Sequence, residues 1–237
     1  MRAMALDTLT RAEIAERLAG DARADLIREG AEAGVAEAQA VLGQMCLDAG
    51  DASAAFAWFG KAARQRHLMA LNMVGRCYDL GWGVAVDKAR AAACFRAAAE
   101  AGLAEAMYNW GTALALGAGV TEDRADALAW FRRAADTGYA KAMNHIGSFH
   151  EDGWAVPVDR AEAARWYAKA AEGGDFRGAF NHARMLIAAG DRDAALAWIA
   201  RAGEWGNVPF RDKARAWLAD SPLGATGVAA LDGAARC

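Results

Sequence analysis

Proline is nearly missing from this chain, with three in 237 residues. With 55% hydrophobic and 24% charged residues, that excludes a collagen, a low-complexity linker and a disordered tail protein. Long hydrophobic runs are missing too, since no stretch approaches the ~18 consecutive apolar residues of a membrane span. There is no basic excess: 27 Lys and Arg against 30 Asp and Glu leave a net charge of −3, which sets duplex nucleic-acid binding aside. The start, Met1-Arg2-Ala3-Met4-Ala5-Leu6-Asp7, has no apolar core before its first acid, so no secretory signal is expected. Cysteine is sparse, and Cys46, Cys77, Cys94 and Cys237 form no Cys-x-x-Cys pair. They are expected as small buried hydrophobes in a reducing, cytoplasmic protein without structural disulfide, metal or cofactor.

What is abundant is alanine, the best helix former, at about a quarter of the chain. The chain also repeats itself. Gly75, Gly111 and Gly147 are 36 residues apart; Gly43 lies 32 before them and Ala183 lies 36 after. A second column is Trp58, Cys94, Trp130, Trp166 and Trp198, and beside it run Phe59, Phe95, Phe131, Tyr167 and Ile199. A third is Asp87, Asp123 and Asp159. Each unit reads as two helices. A glycine-rich turn ends the first, and the aspartate caps the second by accepting from free amides. The second helix stops at Gly34, Gly102, Gly138, Gly174 or Gly206, where glycine adopts a left-handed conformation at little cost; Arg66 departs from that column. A glycine inside the first helix costs about 1 kcal/mol against alanine, which close approach of a neighbouring helix would offset.

The pattern resembles the Sel-one-like repeat family, relatives of the tetratricopeptide repeats. The resemblance rests on Gly75-x-x-Tyr78, Gly83-Val84, Asp87, Trp166-Tyr167-x-Lys169-Ala170-Ala171 and Gly174. Departures are Ala183 for glycine, two short turns, and Cys46, Leu114, His150 and Leu186 at the tyrosine position. The resemblance implies an all-α fold, a right-handed α/α solenoid of stacked helix pairs. The expected organisation is capping helices over 1–34, five repeats over 35–207, a capping helix over 208–220 opened by Pro209, and a disordered tail over 221–237. Thr10 and Glu13 read as a capping box near the start.

No nucleotide loop, zinc motif or nucleophile elbow occurs. His145 and His150 are five apart on one helix and point away from each other, and His182 falls in a core column. Glu151-Asp152 reads as a solvated helix end. The resemblance places ligand segments along a concave face lined by the first helices. Carried over by position, that face holds the rows Asn72, Tyr108, Asn144, Phe180; Met73, Asn109, His145, Asn181; Arg76, Thr112, Ser148, Arg184; and Met69, Glu105, Lys141, Arg177. Asparagine offers donor and acceptor to a peptide backbone, and Lys141, Arg177 and Arg184 make one half positive, suited to a carboxylate. The expected function is a protein- or peptide-binding adaptor or scaffold without turnover. Two alternatives stand beside it: a small-molecule or enzymatic pocket around His145, His150 and Asp152, and a self-associating structural repeat protein.

Overall fold

The computed structural model describes residues 21–233, which form thirteen α-helices and no strand. In order they are α1 (Asp21–Glu32), α2 (Ala36–Asp48), α3 (Ala52–Arg64), α4 (Leu68–Leu80), α5 (Lys88–Glu100), α6 (Ala104–Leu116), α7 (Arg124–Asp136), α8 (Ala140–Asp152), α9 (Arg160–Glu172), α10 (Phe176–Ala189), α11 (Arg192–Trp205), α12 (Val208–Ala219) and α13 (Gly224–Gly233). The chain divides after Leu103 into two compact units, α1–α5 and α6–α13. Within each, helices pair as the columns require, an even-numbered first helix followed by an odd-numbered second. No helix among the described residues is long and apolar enough to cross a membrane.

The aspartates start the second helices. Asp51, Asp87, Asp123, Asp159 and Asp191 each accept from the amide three residues on, at 2.9–3.2 Å. Left-handed glycines stop four of the second helices, with φ between 84° and 99° at Gly34, Gly102, Gly138 and Gly174. Arg66 is forced into the same region at φ 63°, as is Ala155 at φ 60°, where the other turns carry Gly83 and Gly119. Gly206 differs from expectation. It is extended, with φ −78° and ψ 144°, and glycine stands there because a Cβ would lie 2.3 Å from the Phe210 ring.

The glycine inside each first helix lies under the aromatic ring of the second helix of its own pair. A Cβ would come within 2.7 Å of Phe59 at Gly43, 2.6 Å of Phe95 at Gly75, 2.9 Å of Phe131 at Gly111 and 2.6 Å of Tyr167 at Gly147. Where the glycine becomes Ala183 the ring becomes Ile199, and both are fully buried. Alanines seven apart form the rest of that seam: Ala55 and Ala62, Ala91 and Ala98, Ala127 and Ala134, Ala163 and Ala170, Ala195 and Ala202, none more than 1% exposed. Each tryptophan of the other column lies under a cation one turn on, with Lys61, Arg133, Lys169 and Arg201 3.5–4.5 Å from the ring centroids of Trp58, Trp130, Trp166 and Trp198.

The expected disordered tail over 221–237 does not hold within the described residues. Residues 224–233 are helix α13, which packs on α11 and α12 with Leu231 fully buried. Leu231 lies 32 residues after Ile199, so α12 and α13 are a sixth helix pair in register. Its signature is gone because Arg215 stands in the glycine column and pairs instead with Asp232, 2.8 Å away. The proposed capping box at Thr10 and Glu13, and Cys237, lie outside the described residues. Cys77 is buried and its thiol is pushed up to about 11 by burial; burial also raises Cys46 and Cys94.

Candidate functional site

The rows expected along the first helices are largely occupied by one another. In the first unit Asn72 is fully buried and Arg76 is half-buried, its guanidinium 5.0 Å from the Trp82 ring centroid and 3.6 Å from the Met73 sulfur. Asn72 therefore presents nothing to a partner.

In the second unit the polar groups bond from helix to helix. The Tyr108 hydroxyl on α6 lies 3.1 Å from His145 Nε2 on α8. Asn181 Nδ2 on α10 donates to Asn144 Oδ1 on α8 at 2.9 Å. Arg184 on α10 donates to Asn181 Oδ1 at 3.0 Å and to Glu151 Oε1 on α8 at 2.9 Å. Glu151 also accepts from the Tyr167 hydroxyl of α9, at 2.7 Å, and the same hydroxyl lies 3.2 Å from Ser148 Oγ. Thr112 and Ser148 bond back to carbonyls of their own helices, those of Tyr108 and Asn144. Asn109 is half-buried.

Three expectations are corrected by this geometry. Asn144 is only 7% exposed and Phe180 9%, so neither is open to a ligand; Phe180 is covered by Phe210 and Trp217 of α12. Arg184 is not a free cation, because Glu151 neutralises it. Glu151, read as part of a solvated helix end, is the acceptor that ties α8, α9 and α10 together. Its role escapes within-helix spacing because its partners lie 16 and 33 residues away.

His145 is stacked on Phe131, with centroids 5.0 Å apart, and meets Tyr108 edge-on. Burial, and then the Arg177 charge, push its pKa down to about 4, so it is a neutral ring at neutral pH. His150 faces Asp159 and Glu162, with its Nδ1 buried and lacking a hydrogen bond, while Asp152 is exposed. His182 lies against Trp198.

Lys141 and Arg177 remain exposed, 36 residues apart at the second position of α8 and α10. Both act on Asp175, the buried cap of α10, whose carboxyl accepts from the Gly178 amide at 2.7 Å and is raised by burial. Arg177 spreads over the Phe176 ring, 4.5 Å from its centroid, and its charge also reaches Tyr108 and His145. No three potential metal ligands cluster among the described residues.

Helix pairs stacked in register, four of them fixed by a glycine beneath a ring, define an α-solenoid repeat protein. The family model described as Sel1 repeat matches residues 36–67, 68–103, 104–139 and 140–175, and the chain belongs to the Sel1 repeat family. The pairs α10–α11 and α12–α13 lie beyond the matched residues. Among solved structures, a Sel1 repeat protein from Oxalobacter formigenes is similar, with 26% identity over 94% of this chain and 92% of that one and a TM-score of 0.72. A protective antigen of uropathogenic Escherichia coli with an SLR fold has 29% identity and a TM-score of 0.67; the match takes in 91% of this chain and 48% of that one, about half the length of the antigen. An immunity protein from Pseudomonas aeruginosa shares the fold at 17% identity, with a TM-score of 0.55 over 75% of this chain and 67% of that one. A comparison with curated proteins returns no match.

Proposed function

We propose that the chain is a non-enzymatic adaptor that binds a protein partner along the first helices of its second unit. The observation that carries this reading is the division of labour there. One set of side chains, from Tyr108 and His145 to Asn144, Asn181, Arg184 and Glu151, is tied helix to helix and makes a rigid polar floor. Lys141 and Arg177 stand exposed at its edge around a single buried carboxylate, leaving one net positive charge for an acidic or carboxylate-bearing segment. A floor that is already ordered loses little entropy when a partner docks. Family membership supports the scaffold role by analogy, since a fold by itself does not give a function.

The test is affinity capture from the native cell with the intact chain and with the Lys141→Glu, Arg177→Glu variant. The expected result is a partner retained by the intact chain and lost by the variant. A partner held equally by both, and lost on changing Trp130 and Trp166 of the second helices, would place binding elsewhere.

A further inference from the structure

Between α3 and α4, in the first unit, an apolar groove of about 500 Å³ opens to solvent. Phe56 and Tyr78 close one end, their rings edge to face with centroids 5.4 Å apart. Leu71 and Val74 line it from α4, and Gly60 and Arg64 from α3. From Phe56 to Arg64 the helix rises about 12 Å, the length of one large side chain and its backbone. The stripe Leu71, Val74, Tyr78 lies on a different flank of α4 from Asn72, Met73 and Arg76, so this groove is separate from the rows described above.

Three departures from the repeat coincide here. Gly60 stands where the other second helices have Arg96, Arg132, Ala168, Ala200 and Asp232. It is not needed for packing: a Cβ would meet only the Arg64 guanidinium, at 3.7 Å, unlike the glycines beneath aromatic rings. Glycine inside a helix lowers its propensity, and here no close contact offsets that loss. Val74 stands where the other first helices up to α10 carry Leu42, Trp110, Ile146 and His182. Together the small residues leave the groove unfilled. Arg64 stands where the second helices of the next four pairs carry acids, Glu100, Asp136, Glu172 and Glu204. It is exposed, makes no ion pair among the described residues, and its guanidinium lies back over Gly60 at the groove wall.

We propose that this groove takes the C-terminal residue of a partner polypeptide, its bulky apolar side chain against Leu71 and Phe56 and its α-carboxylate on Arg64. The occupant follows from the chemistry. Apolar walls with one unpaired cation at the end suit an apolar group bearing one negative charge, and a guanidinium fork matches a carboxylate with two parallel hydrogen bonds. The groove is open along its length, so the preceding residues of the partner can leave it. The inference does not depend on the second unit.

The experiment uses the full chain and a short dye-labelled peptide ending in free-acid phenylalanine, read by fluorescence polarisation, with the C-terminal amide as its control. The free acid is expected to bind, the amide about tenfold or more weaker, and Arg64→Glu to lose a similar factor. Gly60→Leu fills the groove and adds helix propensity, so it should abolish binding while the melting temperature holds or rises. Equal binding of acid and amide overturns the proposal. So does binding that survives Gly60→Leu but is lost in the Lys141→Glu, Arg177→Glu variant, which would put the peptide on the second unit. Absence of saturable binding to the intact chain, or displacement of the peptide by decanoate at equal concentration, overturns it as well.

Discussion

Arg184 Nη2 lies 2.9 Å from Glu151 Oε1, joining two helices that are neighbours only because the repeat stacks them. The pair is half-buried, with side chains 30% and 20% exposed, and Tyr167 adds a third hydrogen bond. Removing one member strands the others. Glu151→Ala is expected to cost about 2 kcal/mol, on the scale of hydrogen bonds to charged groups, and Arg184→Ala a similar amount. Because both act on one network, the double variant should cost clearly less than the sum; chemical denaturation of the four proteins measures it, and strict additivity would show that the pair is not coupled.

Gly111→Leu should destabilise strongly. A Cβ there already falls 2.9 Å from the Phe131 ring and 3.2 Å from the Ala127 carbonyl, and overpacking typically costs about 1–3 kcal/mol. Gly60→Ala is the matched control, since its surroundings are open and alanine restores about 1 kcal/mol of helix propensity. Opposite shifts in melting temperature are the expected outcome.

Arg66 and Ala155 hold left-handed backbone without being glycine. Arg66→Gly and Ala155→Gly should each stabilise by up to about 1 kcal/mol, the relief of strain being partly offset by the freer unfolded chain. Thermal unfolding of the two variants decides this, and a drop in both would mean that the native side chains stabilise these turns by more than the strain.

Acid should weaken the second unit through His145. Its folded pKa of about 4 lies below the ordinary value of 6.5, so in this window the unfolded state binds the proton more readily. Stability from this group is complete above pH 6.5 and is lost as pH falls from there toward 4. The other titrating groups are common to both proteins, so the contrast with His145→Gln isolates the ring. Intact protein should lose more stability between pH 7 and pH 5 than the variant, and parallel curves would contradict the assignment.

The repeat was legible because it is a matter of spacing. Columns at 36- and 32-residue steps revealed the helix pairs, their aspartate caps, their left-handed glycines and the close approach at Gly75, Gly111 and Gly147. The sixth pair was hidden because Arg215 breaks the glycine column, although Leu231 continues the aromatic one. Position in the repeat also correctly put the inner residues of α6, α8 and α10 beside each other. It could not say whether neighbours would face solvent or each other. Asn144 with Asn181, and Tyr108 with His145, turned out to be partners.

Helix identity, caps and pair register follow from residues within a few turns of each other, where hydrogen bonding and helical period act locally, so the sequence alone determined them. The burial of Asn72, the neutral state of His145, the neutralisation of Arg184 by Glu151, and the open groove beside Gly60 depend on side chains from different helices meeting at atomic distances. Desolvation and charge pairing act through space, over a few ångströms and tens of residues, so only the tertiary structure decided which polar groups are bound to one another and which remain for a partner.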